Sequence, residues 1–226
     1  MPTQLALPLQ SNGASGRKDF IVGPTNAQTI AFLDSWPDWP VPVVAIHGPR
    51  GSGKSHIAAI WSELSGAPVV AASHLCDSLS GLGSLAPLVV EDVDEASHEV
   101  SCARALFRVL EAASRSSPIL LTGREQPSQW PAALPDLSSR FAAAASFPIW
   151  APDEALLAGI ARKLFADCQL TVPDAVVDCM LCSLERSPAA IKDFVMLVDQ
   201  NALAKSKPVT LALVRDLLAT RNPGAR

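Results

Sequence analysis

The sequence has no long hydrophobic run, and this absence excludes a helix that spans a membrane. Its purely apolar stretches are short, such as Ala67 to Ala72, whereas a membrane helix needs about 20 apolar residues. Basic residues are missing before the short apolar part of the N-terminus, so we expect no signal peptide there. An excess of positive charge is also missing, because 18 Lys and Arg residues stand against 22 Asp and Glu residues, for a net charge of −4. We therefore expect no strong direct binding to DNA, which needs a basic surface.

Cysteines are few and scattered, which excludes a disulfide framework. The chain of 226 residues has five of them. An odd, dispersed set in a large domain indicates reduced thiols and hence a cytoplasmic protein. Because 49% of the residues are hydrophobic, the chain is long and apolar enough to form a substantial core.

The composition changes twice along the chain, and these changes predict three segments. Residues 1–18 combine a short apolar peptide with a polar, Gly-rich stretch that is typical of a flexible linker. Residues 19–150 alternate apolar strands with helical patterns, which predicts an α/β domain with a five-stranded parallel sheet covered on both faces. Residues 151–226 offer no strand candidate, and their pattern predicts a small all-helical domain.

Short apolar segments and longer periodic ones give the expected positions of the elements. The predicted strands cover residues 41–47, 69–72, 85–91, 118–122 and 146–149. The predicted helices cover residues 54–64, 101–114 and 134–142 in the α/β domain, and residues 153–166, 174–184, 188–204 and 211–220 in the helical domain. Prolines at 173, 188 and 208 fit helix starts, where the missing N–H group is harmless.

A complete P-loop pattern, GxxxxGK[ST], follows the first predicted strand and opens the first predicted helix. Its residues are Gly48, Pro49, Arg50, Gly51, Ser52, Gly53, Lys54 and Ser55, with His56 directly after them. Glycines allow backbone N–H groups to wrap around phosphates, the lysine reaches the β and γ phosphates, and the hydroxyl of Ser55 binds Mg²⁺. We expect all nine residues to contact an adenine nucleotide, either ADP or ATP, with its Mg²⁺.

Two further strand ends carry polar groups that suit phosphate chemistry. The third predicted strand ends in Glu91 and Asp92, at the distance from the P-loop where a Walker B carboxylate binds Mg²⁺ and faces the attacking water. The fourth ends at Thr122, which can orient water near the γ phosphate, with Arg124 just after it. A solvated acidic turn and a plain strand-to-loop transition are the alternatives. Glu91 stands where Asp is usual, and its extra methylene puts efficient self-hydrolysis in doubt.

Two basic residues lie on predicted helices farther along the chain. Arg140, in Ser-Arg-Phe, can reach into a neighbour's nucleotide site as an arginine finger; the alternative is a surface arginine in a salt bridge. Lys192, near the start of a helix in the second domain, can close down on the phosphates; the alternative is a solvated side chain.

The order of these motifs resembles an AAA+ ATPase, and more closely the nucleotide-binding region of the bacterial replication initiator DnaA. Residues 19–26 (DFIVGPTN) are similar to the DnaA segment that holds the adenine, which implies contacts from Phe20 and Val22. The same resemblance implies that Arg140 is the arginine finger and that Thr122 belongs to the sensor 1 region. It also places Lys192 at sensor 2, where the family usually has arginine.

Two features then resemble the Hda family of DnaA-related AAA+ proteins rather than DnaA. The sequence ends where the DNA-binding domain of DnaA would start, and its first residues are similar to a peptide that docks on the DNA polymerase III β sliding clamp. In such peptide-in-groove binding a glutamine fixes the orientation and leucines fill apolar pockets. The residues concerned are Gln4, Leu5, Leu7, Pro8 and Leu9.

The resemblance implies a negative regulator of replication initiation. The nucleotide-bound protein would dock on the DNA-loaded clamp and promote hydrolysis of DnaA-bound ATP, with Arg140, Asp92 and Thr122 as catalytic residues. Its own hydrolysis would be weak, and the AAA+ face would allow self-association. Two other functions stay open: a DnaA-like ATPase or helicase loader that hydrolyses its own ATP, and a clamp-tethered adaptor without a catalytic role.

Overall fold

The parallel sheet of the first unit is built from short, buried, β-branched strands. In the computed structural model, which describes residue 17 and residues 21–78, 87–205 and 208–221, the strands are β1 (Val43–His47), β2 (Val69–Ala71), β3 (Leu88–Glu91), β4 (Ile119–Gly123) and β5 (Ala145–Pro148). Their order across the sheet is β2-β3-β4-β1-β5, and every pairing is parallel. The predicted five-stranded parallel sheet is confirmed.

Helices cover both faces of this sheet because alternate strand residues point to opposite sides. The helices of the first unit are α1 (Ala27–Leu33), α2 (Lys54–Ser65), α3 (Leu75–Ser78), α4 (Val93–Ala96), α5 (Val100–Ala112) and α6 (Pro135–Ala143). One core joins Ala45 and Leu121 to α5 and α6, while Val44 and Leu120 belong to another core with α1 and α2.

The described part of the second unit consists of helices. The chain divides between Ala151 and Pro152, and the helices that follow are α7 (Glu154–Asp167), α8 (Asp174–Ser183), α9 (Pro188–Lys205) and α10 (Leu211–Arg221). They enclose their own apolar core, which includes Phe165, Met180 and Phe194. Asp153 caps α7, because its side chain accepts a hydrogen bond from the N–H of Leu156 at 2.7 Å.

Helix α1 is an addition to the predicted elements. It has only seven residues, too few for a clear period, yet Thr29, Ile30 and Leu33 are buried. The short helices α3 and α4 were also not predicted, since four residues give no periodic pattern. Among the described residues, the model has no helix with the length and apolar character that a membrane span requires.

Candidate functional site

The P-loop lies between β1 and α2, in the strand–loop–helix setting that the sequence predicts. Its first glycine, Gly48, touches the backbone beyond β5 so closely that an added Cβ would lie 2.0 Å from the carbonyl oxygen of Ile149. Gly53 has φ +102°, a left-handed conformation that favours glycine, and α2 starts at the next residue. The loop therefore leads directly into the N-terminus of α2, a helix of twelve residues. The N-terminus of a helix is a general binding site for anions.

Lys54, the first residue of α2, is hydrogen-bonded to the backbone of the P-loop. Its ammonium group donates hydrogen bonds to the carbonyl oxygens of Gly48 at 2.8 Å and of Pro49 at 3.0 Å. The residue is only 8% exposed. Burial lowers the pKa of Lys54 below its ordinary value, and nearby carboxylates, chiefly Asp92, oppose that shift. A cation held at the start of a helix is suited to meet a phosphate group.

Carboxylates at the end of β3 face this lysine. Glu91, Asp92 and Asp94 all interact electrostatically with the Lys54 ammonium group. Oε1 of Glu91 and Oδ1 of Asp94 are buried and have no hydrogen-bond partner among the described residues. Buried carboxylate oxygens without partners are costly for a fold, and they remain available to bind a cation or ordered water.

A hydrogen bond joins the ends of β3 and β4. The backbone N–H of Asp92, which has a left-handed φ of 53°, donates to the hydroxyl oxygen of Thr122 at 3.2 Å. That hydroxyl serves as an acceptor here, so its own proton is free for a bond to water or phosphate. Thr122 is 1% exposed. Two of the three predicted catalytic residues, Asp92 and Thr122, are thus direct neighbours.

Arg124, which follows β4, contacts two acidic residues of α4 at the same edge of the sheet. Its N–H donates to Oδ2 of Asp94 at 3.0 Å, and its guanidinium group pairs with Glu95. The loop after β4 is thereby tied to the loop after β3, with Lys54 beside both.

The residues predicted to bind Mg²⁺ offer the oxygen donors that this ion prefers. Ser55 is exposed in the first turn of α2, and Asp92 is exposed after β3. No group of three or more His, Cys, Asp or Glu residues within the described ranges could hold a metal ion alone. Since Mg²⁺ is commonly bound by one or two protein groups together with phosphates, Ser55, Glu91 and Asp92 fit the ion only as part of a nucleotide complex.

His47 occupies the carboxyl end of β1, the strand between β4 and β5. It pairs with Gly123 on one side and with Pro148 on the other. Burial lowers the pKa of His47, Glu125 opposes the shift, and Lys54 adds to it. Burial and the Lys54 cation thus both disfavour the protonated imidazole.

Arg140 lies on α6 and contacts the neighbouring helix α5. Its guanidinium carbon lies 4.5 Å from the centre of the Phe107 ring, and one of its nitrogens is 3.8 Å from a carboxylate oxygen of Glu111. The side chain is 35% exposed. The structure thus places Arg140 against α5 by a cation–π contact, with part of its surface open to solvent.

The remaining predicted residues are distributed as follows. Val22 is 46% exposed in the loop before α1, and Lys192 is exposed on α9 in the second unit. Phe20 lies outside the described residues, and so do the residues assigned to clamp binding, which are Gln4, Leu5, Leu7, Pro8 and Leu9.

Sequence reasoning missed three residues of this edge. Asp94 faces Lys54 through a tertiary contact, although the acidic run from Glu91 to Glu95 gave a signal for it. His47 ends the strand that leads into the P-loop. Trp150 follows β5 and is 63% exposed, and no motif marks it.

The fold is that of known AAA+ proteins. No protein-family model and no curated protein sequence matches the chain. Among solved structures, domain III of the replication initiation protein DnaA from Thermotoga maritima is similar with a TM-score of 0.71 and 16% identity, over 93% of this chain and 97% of that domain. The Holliday junction branch migration motor RuvB from T. maritima is similar with a TM-score of 0.69 and 15% identity, over 89% of this chain and 70% of RuvB.

A DnaA structure from Aquifex aeolicus with bound AMPPCP gives a TM-score of 0.66 at 18% identity. This comparison covers 80% of this chain and 63% of that DnaA, so the chain spans less than two thirds of it. The chain therefore has the AAA+ fold, which consists here of a five-stranded parallel α/β unit followed by a helical unit.

Proposed function

We propose that this chain binds an adenine nucleotide with Mg²⁺ at the P-loop and uses the bound state to regulate DnaA. The observation that carries the first part is the position of Lys54, at the head of α2 and facing Glu91, Asp92 and Asp94. Support for an adenine nucleotide comes from the solved DnaA with AMPPCP, which shares the fold.

Each group at the sheet edge then has a role in the bound state. Lys54 exchanges its hydrogen bonds to the Gly48 and Pro49 carbonyls for bonds to the β and γ phosphates. Ser55 and the Glu91–Asp92 pair would hold Mg²⁺, which would supply positive charge next to the phosphates. Thr122 keeps Asp92 in place through the 3.2 Å hydrogen bond and can donate its hydroxyl proton to a water molecule or a phosphate oxygen. Lys192 is the proposed phosphate contact from the second unit.

The regulatory part concerns a second protein. The chain docks on the DNA polymerase III β clamp through Gln4, Leu5, Leu7, Pro8 and Leu9, and Arg140 enters the ATP site of DnaA and promotes hydrolysis there. The support is the similarity to DnaA domain III over nearly the whole of that domain. The 35% exposure of Arg140 leaves the guanidinium group accessible after it leaves Glu111, a weak surface pair.

One observation favours the adaptor function instead. The contacts of Arg140 with Phe107 and Glu111 lie within its own unit, and a purely structural arginine would make the same contacts. The two functions predict different results for Arg140→Ala. The proposal predicts that stimulation of DnaA is lost, and the adaptor function predicts that it is kept.

The test measures hydrolysis of DnaA-bound ATP on clamp-loaded DNA, with DnaA and clamp from the same organism. We expect the intact chain to speed conversion to ADP and Arg140→Ala to abolish the effect, because an arginine finger contributes about 10³–10⁵ in rate. Arg186→Ala is the matched control, since Arg186 also lies 3.8 Å from a surface glutamate. A combined Gln4→Ala, Leu7→Ala variant should lose the effect of the clamp. It should either stimulate hydrolysis of DnaA-bound ATP equally with and without the clamp, or not stimulate it at all.

The outcomes separate the three functions. Full stimulation by Arg140→Ala would support the adaptor. Turnover of ATP by this chain alone, with no change in DnaA, would support a DnaA-like ATPase or loader. No change in either rate would contradict the regulatory proposal.

A further inference from the structure

Trp150 is an exposed aromatic residue that the fold does not explain. Of the five tryptophans, Trp39, Trp61 and Trp130 are at most 4% exposed, and Trp36 is half-buried against Trp39 and Trp61. Trp150 is 63% exposed. An indole is a large apolar surface, and leaving it in water forfeits the stabilisation that burial would give. Such exposure is informative when the residue borders a binding site.

The backbone fixes Trp150 at the border of the P-loop. The N–H of Ile149 donates to the carbonyl oxygen of His47 at 2.7 Å, and the carbonyl oxygen of Ile149 lies where a side chain on Gly48 would be. The N–H of Trp150 then donates to the carbonyl oxygen of Thr25 at 3.4 Å. Trp150 therefore lies between the first P-loop glycine and the loop that precedes α1.

That loop is closed by hydrogen bonds of Asn26 and presents a second exposed apolar residue. Asn26 is 5% exposed; its side chain accepts from the N–H of Gly23 at 2.9 Å and donates to the carbonyl oxygen of Ile21 at 3.2 Å. Val22, inside this closed turn, is 46% exposed. Two apolar side chains are thus held on adjoining segments, and one of these segments touches the phosphate-binding loop.

We propose that Trp150 stacks on the base of the bound nucleotide. This inference rests on the proposed nucleotide function and adds the residue that binds the base. A nucleotide whose phosphates occupy the α2 N-terminus has its flat base one ribose away, and an exposed indole at the loop border offers a matching flat surface for the face of the base. Stacking of a base on an aromatic side chain tolerates different bases, because every base has a π face.

The experiment compares ADP with inorganic tripolyphosphate, both with Mg²⁺, on the full chain. In Trp150→Ala we expect affinity for ADP to fall by roughly 5- to 150-fold, the range measured for base–aromatic stacking, with tripolyphosphate affinity unchanged. Trp150→Phe should retain most of the ADP affinity. Leu64→Ala is the control for loss of an exposed apolar side chain, since Leu64 is 51% exposed at the far end of α2.

Tryptophan fluorescence gives a second measurement. ADP should change the emission of the wild type, tripolyphosphate should leave it unchanged, and the ADP response should vanish in Trp150→Phe. Equal ADP affinity in Trp150→Ala and wild type would overturn the stacking proposal, and so would an equal loss of ADP and tripolyphosphate binding. If the wild type binds neither ligand, the nucleotide function itself fails, and stacking fails with it.

Discussion

At the residue scale, His47 shows how the site manages positive charge. It ends β1 beside Lys54, and burial together with that neighbouring cation lowers its pKa below the ordinary value of 6.5. A neutral imidazole adds no positive charge beside Lys54, which donates to the carbonyl oxygens of Gly48 and Pro49. A consequence is that the free energy of unfolding depends on the pH.

The lowered pKa predicts that His47 contributes stability above its unfolded pKa and that this contribution is lost as the pH falls. Between the folded and unfolded pKa values the unfolded state binds more protons, so the free energy of unfolding rises with pH. Compared with His47→Gln, the wild type should lose more stability between about pH 7.5 and pH 5. Urea unfolding of both proteins at several pH values measures the difference, and parallel pH profiles would contradict the assignment.

Sequence could predict those site residues whose positions follow from local patterns. The P-loop has fixed spacing around Lys54, and acids at a strand end mark Glu91 and Asp92. Asp94 and Lys54 lie close together because Asp94 follows β3 and Lys54 follows β1, and these two strands lie on either side of β4 in the sheet. The contact of Arg140 with Phe107 depends in the same way on the packing of α6 against α5. The acidic run in the sequence marks Asp94 as a candidate, but a single sequence contains no local signal for which residue Asp94 or Arg140 contacts.

At the scale of elements, the strand–loop connections at the carboxyl edge are closely packed. β4 ends at Gly123, and an added Cβ there would lie 2.6 Å from the Trp130 ring. Trp130 is 4% exposed and donates to the carbonyl oxygen of Glu125 at 2.6 Å, so its ring has little room to move. The absence of a side chain at Gly123 thereby positions the loop that carries Arg124.

Gly123→Ala should therefore destabilise the fold by about 1–3 kcal/mol, the usual cost of overpacking a core. Urea unfolding measures this cost, and a double-mutant cycle with Trp130→Leu identifies its origin. In the Trp130→Leu background the methyl group has space, and the cost should shrink. An equal cost in both backgrounds would show that the clash with the ring is not the cause.

Apolar periodicity in the sequence predicts helices α2 and α5 close to their observed bounds, whereas helix α1 was not predicted. The predicted helix over residues 54–64 corresponds to α2, which ends at Ser65 because Gly66 adopts φ +72°. The predicted helix over residues 101–114 corresponds to α5 at Val100–Ala112. Helix α1 was missed because its seven residues are stabilised by tertiary contacts, such as the hydrogen bond from Thr29 to the carbonyl oxygen of Pro148 at 3.0 Å.

At the scale of the whole molecule, the site exists because a parallel sheet collects distant residues at one edge. Lys54, Asp92 and Thr122 are well separated in sequence, yet each follows or ends a neighbouring strand of the order β3-β4-β1. Loops at the carboxyl ends of such strands are the usual place for ligands in α/β proteins. The alternation of strands and helices thus predicted both the fold and the edge that carries the candidate site.

Nucleotide binding through Lys54 is the property on which the proposed function most depends, and calorimetric titration of the full chain with ADP and Mg²⁺ tests it. We predict one bound ADP per wild-type chain and at least about tenfold weaker binding by Lys54→Ala, because a charged hydrogen-bond donor to phosphate is lost. Lys163→Ala, which removes a lysine paired with Asp167 on the helical unit, should bind like the wild type. No binding by the wild type, or equal binding by Lys54→Ala, would contradict the account.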